Sequence, residues 1–375
     1  MTEIVAPEEL VTLALCGDVM TGRGIDQILA QPGDPRLYEQ YITSALDYVS
    51  LAERVNGPIP RSAASSYIWG MALDEIREAQ ADAFIVNLET SVTQNTQAEP
   101  KGINYRMNPA NISCLTAAGI DCCVLANNHV LDWGAIGLAD TLCVLANNGL
   151  RSAGAGLTAS DAAAPAIIDR GRKGRILVFA MGVADSGIAL SWAAAPGKLG
   201  VNLLTDLSAR SVDSISNQVR RAKQAGDVVV ASIHWGGNWG YGIPSDHRQF
   251  ARALIDEALI DVVHGHSSHH PKAAEIHRGK LILYGCGDFI DDYEGIEGYE
   301  QYRADLVVLY IAALERRSGS LRRLELVPFQ VRNFRLNPPR ADDTSWLLQR
   351  LGREFRRSGL DLELSSGGHI IVRWK

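Results

Sequence analysis

The stretch Asp227–Gly236, DVVVASIHWG, is followed some thirty positions later by Asp261–Pro271, DVVHGHSSHHP. Each opens on an apolar run too short for a helix and closes on histidine and glycine, the pattern of a strand buried on both faces whose carboxyl end turns polar. Similar runs recur at Leu10–Cys16, Ala83–Leu88, Cys122–Ala126, Ile176–Met181 and Leu281–Tyr284. Between several of them lie stretches with helical spacing: Ile136–Ala146 before Asn147-Asn148-Gly149, Ala209–Ala225 before Gly226, and Ser245–Leu259. This alternation predicts an α/β domain. In open α/β sheets the carboxyl ends of the strands share one crevice. Gly17-Asp18, Asn87-Leu88-Glu89, Asn127-Asn128-His129, His234-Trp235-Gly236 and Gly265-His266-Ser267-Ser268-His269 should therefore meet in space.

The remaining composition bounds the partners. The chain has 375 residues, with 36 Lys plus Arg against 43 Asp plus Glu and a formal charge of −7, and no block of like charge. Nucleic acid and anionic membrane are poor partners for such a surface. No run approaches the ~18 apolar residues of a spanning helix, so no membrane insertion is expected. The N-terminus, MTEIVAPEEL, is acidic where a secretory signal is basic, and we read the protein as cytoplasmic. Six cysteines without CxxC spacing agree, as reduced core thiols.

The segment 31–81 is irregular, with PGDPR and NGPIPRS and helix-like pieces at Tyr38–Leu51 and Ile68–Gln80, and reads as an insertion beside the site. Past Ala304, strands are expected at Asp305–Ala312 and Leu321–Arg332, then a polar helix at Ser345–Arg357 and a last strand at Gly368–Trp374. This divides the chain into a main domain, 1–335, and a helix-strand extension, 336–375, packed on it.

Five of nine histidines, His264, His266, His269, His270 and His277, fall within fifteen positions. With Asp18, Glu89, Asn128 and His234, residues His266 and His269 offer two carboxylates, an amide and three imidazoles, which suits two divalent ions of the Mn, Fe, Zn or Co class in a hydrolytic site. A hydroxide bridging the metals would be the nucleophile. His129, beside Asn128 and outside the ligand set, is the natural general acid, held by Asp132. Each residue also has an ordinary reading: Asp18 a turn former, Asn127-Asn128 an Asx turn, His234 a core histidine, His269-His270-Pro271 an exposed turn. Gly17, Gly236 and Gly265 would let the backbone turn sharply beside the metals. Substrate contacts are expected from Arg106 and Arg23, as clamps for phosphate or carboxylate, and from Trp235, Trp239 and Tyr241 as an aromatic wall. Asp288, Asp291, Asp292 and Glu294 either orient the ligand histidines or stay solvated. His247, His277 and His369 read as surface residues.

In order, GDVM, NLET, LANNHVLDWG, HWG, GHSSHHP and GKLILYGCGDF resemble the CapA family, poly-γ-glutamate capsule synthesis proteins of the calcineurin-like metallophosphoesterase superfamily, from Leu13 to Phe289. The resemblance implies a four-layer αββα core with a dinuclear centre, Asp18, Glu89, Asn128, His234, His266 and His269 as ligands, and His129 as proton donor. Met20 stands where the wider pattern has a histidine ligand, Glu89 where it has a bridging Asp, and Gly287-Asp288-Phe289 where Gly-Asn-Phe is typical. His264, before the motif glycine, fits a supporting role. The expected activity is hydrolysis of a phosphoester or a γ-glutamyl-type amide, with a small or polymeric anionic substrate. The alternatives are an accessory protein that binds a polyanionic or peptide-like chain with a degenerate metal site, and a purely structural metal site. Oligomeric state is not legible.

Overall fold

A computed structural model describes residues 9–375; the acidic start of the chain, on which the localisation expectation leans, lies outside them. In chain order the strands are β1 (Leu10–Val19), β2 (Ala83–Leu88), β3 (Cys122–Val124), β4 (Arg151–Ala153), β5 (Ala166–Asp169), β6 (Arg175–Val183), β7 (Val228–His234), β8 (Val262–His266), β9 (Ala274–His277), β10 (Lys280–Leu283), β11 (Asp288–Ile290), β12 (Leu306–Glu315), β13 (Leu321–Val331), β14 (Asp361–Leu364) and β15 (Ile370–Arg373). The main helices are α1 (Arg23–Ile28), α2 (Ala45–Asn56), α3 (Ala72–Glu78), α4 (Gly134–Asn147), α5 (Ala209–Ala222), α6 (Ser245–Glu257) and α7 (Ala341–Arg356).

Side chains alternate across each strand, and this alternation builds the layers. On β1, Val11, Leu13 and Leu15 face one way and Ala14 and Cys16 the other. On β6, Ile176, Val178 and Ala180 face the first set, while Leu177, Phe179 and Met181 face outward. The inner faces of two sheets thus share one apolar layer. The outer face of the first sheet packs on Ile25, Ile28, Val49, Ala52, Leu138 and Leu145 of α1, α2 and α4. The outer face of the second packs on Val212, Ile215 and Val219 of α5 and Phe250, Ala251 and Leu254 of α6, both at helical spacing. Four layers result, α-β-β-α.

The first sheet runs β14-β15-β13-β12-β1-β2-β3-β4, and the second has β6-β7-β8-β10-β9 as its centre. Strands β1 to β4 are mutually parallel, as are β6, β7, β8 and β10, so each sheet presents a row of carboxyl ends. Strands β14 and β15 extend the first sheet through β13. Leu347, Leu351 and Phe355 of α7 join the layer between the sheets.

Two expected elements differ. The piece at Tyr38–Leu51 becomes α2 at Ala45–Asn56, because a loop folds back first, Leu37 donating to the Thr43 carbonyl, and Ser44 then caps the helix through Leu46 N–H. The piece at Ile68–Gln80 divides at Gly70 into a single turn, Tyr67–Trp69, and α3. The cysteine expectation also needs correcting, since Cys143 is exposed on α4 while the other five are buried and free.

Candidate metal centre and cleft

The inward faces of β7 and β8 change character along their length. Val228, Val230 and Val262 pack between the sheets, and two and four residues later the same faces carry Ser232, His234, His264 and His266. Opposite them, Asp18 and Asn87 stand one residue before the ends of β1 and β2, Glu89 lies just beyond β2, and β11 opens on Asp288 in register with Asp18. That last approach depends on Gly17, where a Cβ would lie 1.7 Å from the Gly287 carbonyl oxygen, itself the acceptor for Asp18 N–H at 3.0 Å. Gly17 and Gly265 therefore serve close packing rather than the sharp turn expected of them; Gly236, at φ +75°, does turn.

Two groups of donors result. Asp18, His234 and His266 form one, and Asp18, His269 and Asp288 the other, the atoms within each lying within 4.8 Å of one another. Asp18 is common to both. Glu89 belongs to neither group; its Oε1 stands 4.0 Å from His234 Nε2 and 3.8 Å from His129 Nε2. Asn128 presents Oδ1 2.8 Å from His234 Nε2. Asp288, left by the sequence as an acid that orients histidines or stays solvated, is buried and also accepts from His269 Nδ1 at 2.9 Å.

The chemistry of the cluster fits a divalent cation. Asp288 Oδ2 is buried without a hydrogen-bond partner. His234 Nδ1 and His266 Nδ1 face each other at 2.9 Å. Burial, then the neighbouring Asp288, pushes the Asp18 carboxyl up to about 7. Burial likewise raises Asp288 and Asp291 well above the carboxylate range, and Glu89 with further help from Asp18. Buried carboxyls with no counter-ion hold protons that a divalent ion would displace. The three imidazoles are pushed down by the same burial and are ready as neutral donors.

Beside the cluster, Asn127 Oδ1 accepts from the N–H groups of His129 and Val130, the Asx turn that sets the His129 ring. His129 Nδ1 lies 2.7 Å from Asp132 Oδ2, which also accepts Tyr105 N–H at 2.6 Å. Lys101, which nothing in its local sequence marks out, donates to Asp132 Oδ1 at 2.7 Å and to the Asn128 carbonyl. Burial outweighs Asp132 and brings His129 down to about 4.

A cleft of about 680 Å³ opens over this group, its walls including Glu89, Asn128, His129, His269, Asp291, Tyr293, Trp239 and Tyr299. Trp239 and Tyr299 stack at 4.1 Å. Arg23 reaches the wall with its guanidinium already bound to Asp292 and Glu39 and lying over Tyr48. Arg106 lies outside this cleft: it donates to the carbonyls of Asn95 and Asp34 and covers Trp133. Trp235 is core, stacked between His247 and Tyr284 with its indole N–H on the Tyr284 carbonyl. Tyr241 sits under Arg350 and against His270, also off the cleft. His247, expected at the surface, is 3% exposed and pairs with Asp185 at 2.8 Å, because the indole of Trp235 covers its ring. The acids Asp292 and Glu294 are tethers, the first for Arg23 and Gly24 N–H, the second for Asn333 and Phe334 N–H.

A four-layer α/β sandwich, with histidine and carboxylate side chains that could hold metal ions where two rows of strand ends meet, defines the class of this fold. Within it, this chain belongs to the family described as bacterial capsule synthesis protein PGA_cap, which matches residues 12–293. It is 45% identical over 354 residues to a probable polyglutamine synthesis accessory protein of Mycobacterium tuberculosis, covering 94% of this chain and 93% of that one. It is 26% identical to the PGA biosynthesis protein CapA of Bacillus subtilis, over 89% of this chain and 75% of the relative. A solved structure of a phosphatase from Mycoplasma pneumoniae is similar over 88% of this chain and 95% of that one, at 11% identity and a TM-score of 0.47. No helix among the described residues is long and apolar enough to cross a membrane.

Proposed function

We propose that this protein is a metal-dependent hydrolase acting on a phosphoester or a γ-glutamyl-type amide. The observation that carries the reading is the pair of donor groups sharing Asp18, with the His129 and Asp132 pair on the adjoining cleft wall. Asp18, His234, His266, His269 and Asp288 would hold divalent ions, with Asn128 and Glu89 at the open side. When bound, such ions lower the pKa of water and polarise the oxygen of an ester or amide.

The chain's own residues supply the rest. Asp132 accepts from His129 Nδ1–H and turns Nε2 toward Glu89 and the cleft. Lys101 neutralises Asp132, so the dyad carries no surplus charge. Burial keeps the His129 ring neutral; an anionic substrate beside it raises its proton affinity and makes it a donor to the leaving group. Tyr105 packs edge-on against the ring at 4.2 Å and fixes its plane.

The accessory reading draws support from the printed name of the mycobacterial relative. One experiment separates the two: metal content by elemental analysis, with turnover of phosphoester and γ-glutamyl amide panels, on wild type, His266→Ala and His129→Ala. The hydrolase reading expects two metals in wild type, fewer in His266→Ala, and full metal in His129→Ala with turnover lower by about 10²-fold or more. Metal-loaded wild type inert on both panels overturns it in favour of the accessory role.

A further inference from the structure

We propose that Ser232 and His264 are positioning residues that lock His266 in the tautomer with hydrogen on Nε2, so that its Nδ1 lone pair is turned toward Asp18 and His234. The inference rests on the reading of His266 as a metal donor only for its consequence, not for its geometry.

Four buried groups lie in a line. His264 Nε2 is 2.8 Å from the carbonyl oxygen of Cys16, on the opposite sheet. His264 Nδ1 is 3.0 Å from Ser232 Oγ, and Ser232 Oγ is 2.9 Å from His266 Nε2. His266 Nδ1 then stands 2.9 Å from His234 Nδ1 and 3.9 Å from Asp18 Oδ1. Ser232 and His264 are fully buried and His266 is 1% exposed, so bulk solvent does not reach the line.

The direction of the line follows from what each atom can do. A carbonyl oxygen only accepts, so His264 Nε2 carries the hydrogen. Among the described residues His264 hydrogen-bonds to a carbonyl and a hydroxyl and to no carboxylate, and it is fully buried, so its ring is neutral and Nδ1 accepts. The one hydroxyl hydrogen of Ser232 goes to that Nδ1, and Ser232 Oγ is left to accept from His266. His266 therefore holds its hydrogen on Nε2. A fixed carbonyl on one sheet thus decides, through two side chains of the other, which nitrogen of a candidate ligand is open. Supporting hydrogen bonds of this kind set ligand tautomer and typically contribute 10–100-fold in metal affinity.

The test is direct. Two-bond ¹H–¹⁵N correlation spectra of the full chain labelled with ¹⁵N-histidine, in EDTA, report the tautomer of each ring, with His266 and His264 assigned by His266→Asn and His264→Asn. Both rings are expected with hydrogen on Nε2. In Ser232→Ala, His266 should show a mixture of tautomers and Zn²⁺ should bind about 10–100-fold more weakly by calorimetry. Hydrogen on Nδ1 of His266 in wild type, or unchanged tautomer and Zn²⁺ affinity in Ser232→Ala, overturns the proposal. Should Ser232→Ala fail to fold, the wild-type spectrum alone decides it. Wild type that shows the Nε2 hydrogen yet binds no Zn²⁺ upholds the relay and removes the metal reading instead.

Discussion

Asp18 and Asp288 stand side by side in adjacent parallel strands, and burial holds protons on both, on Asp18 up to about pH 7. Without a cation, the folded state binds more protons than the unfolded one between the ordinary carboxyl range and that value, so these groups cost stability as pH rises through it. A divalent ion must displace those protons. Mn²⁺ affinity, measured by calorimetry from pH 5 to 8, should therefore tighten by about tenfold per pH unit for each proton released and lose most of Asp18's share above about pH 7. The imidazoles, pushed below their ordinary range by burial, contribute less to this slope than the carboxyls; a flat profile would contradict the assignment. At this scale the sequence is informative where a polar residue closes an apolar run, as with Asp18, His234 and His266. Asp288 is visible only as one acid of four after the last motif and as a departure from the family pattern, since it begins a strand rather than closing one. Lys101 and His247 are invisible, because their partners, Asp132 and Asp185, lie on separate loops that only the fold brings close.

Arg106 shows how an element can claim a residue that sequence offers to a substrate. Its guanidinium binds the carbonyls of Asn95 and Asp34 and caps Trp133, tying the loop after β2 to the insertion before α2. Arg106→Ala should cost about 1–2 kcal/mol in denaturant unfolding, the scale of lost charged hydrogen bonds in a half-buried place, and leave KM for any substrate unchanged. A raised KM at unchanged stability would return Arg106 to the substrate. Strands buried on both faces were legible as elements, since each is a continuous apolar run ending in a polar one. Short strands such as β4, β5 and β14 were not: Arg151–Ala153 and Asp361–Leu364 carry little apolar pattern and are strands because a neighbour offers hydrogen bonds. The start of α2 was hidden for a related reason, since Tyr38 and Tyr41 keep helical spacing while the backbone there is used for the loop closed at Thr43.

Across the whole molecule, the donors come from both sheets: Asp18 and Asp288 from the first, His234 and His266 from the second. The three large apolar clusters are complete without them, so chelation should leave the fold intact. Mn²⁺ at about a hundredfold excess over Kd should add about 2.7 kcal/mol per occupied site and raise the melting midpoint by several degrees, reversibly with EDTA. Unfolding on chelation at room temperature would instead mark the metal as structural.

The same placement sets an order in time. Asp18 leaves the ribosome more than two hundred residues before Asp288, with the imidazoles between. No nascent segment ending before β11 contains both donor groups. An ion held by the second donor group would therefore be acquired only by a chain that has already emerged past β11.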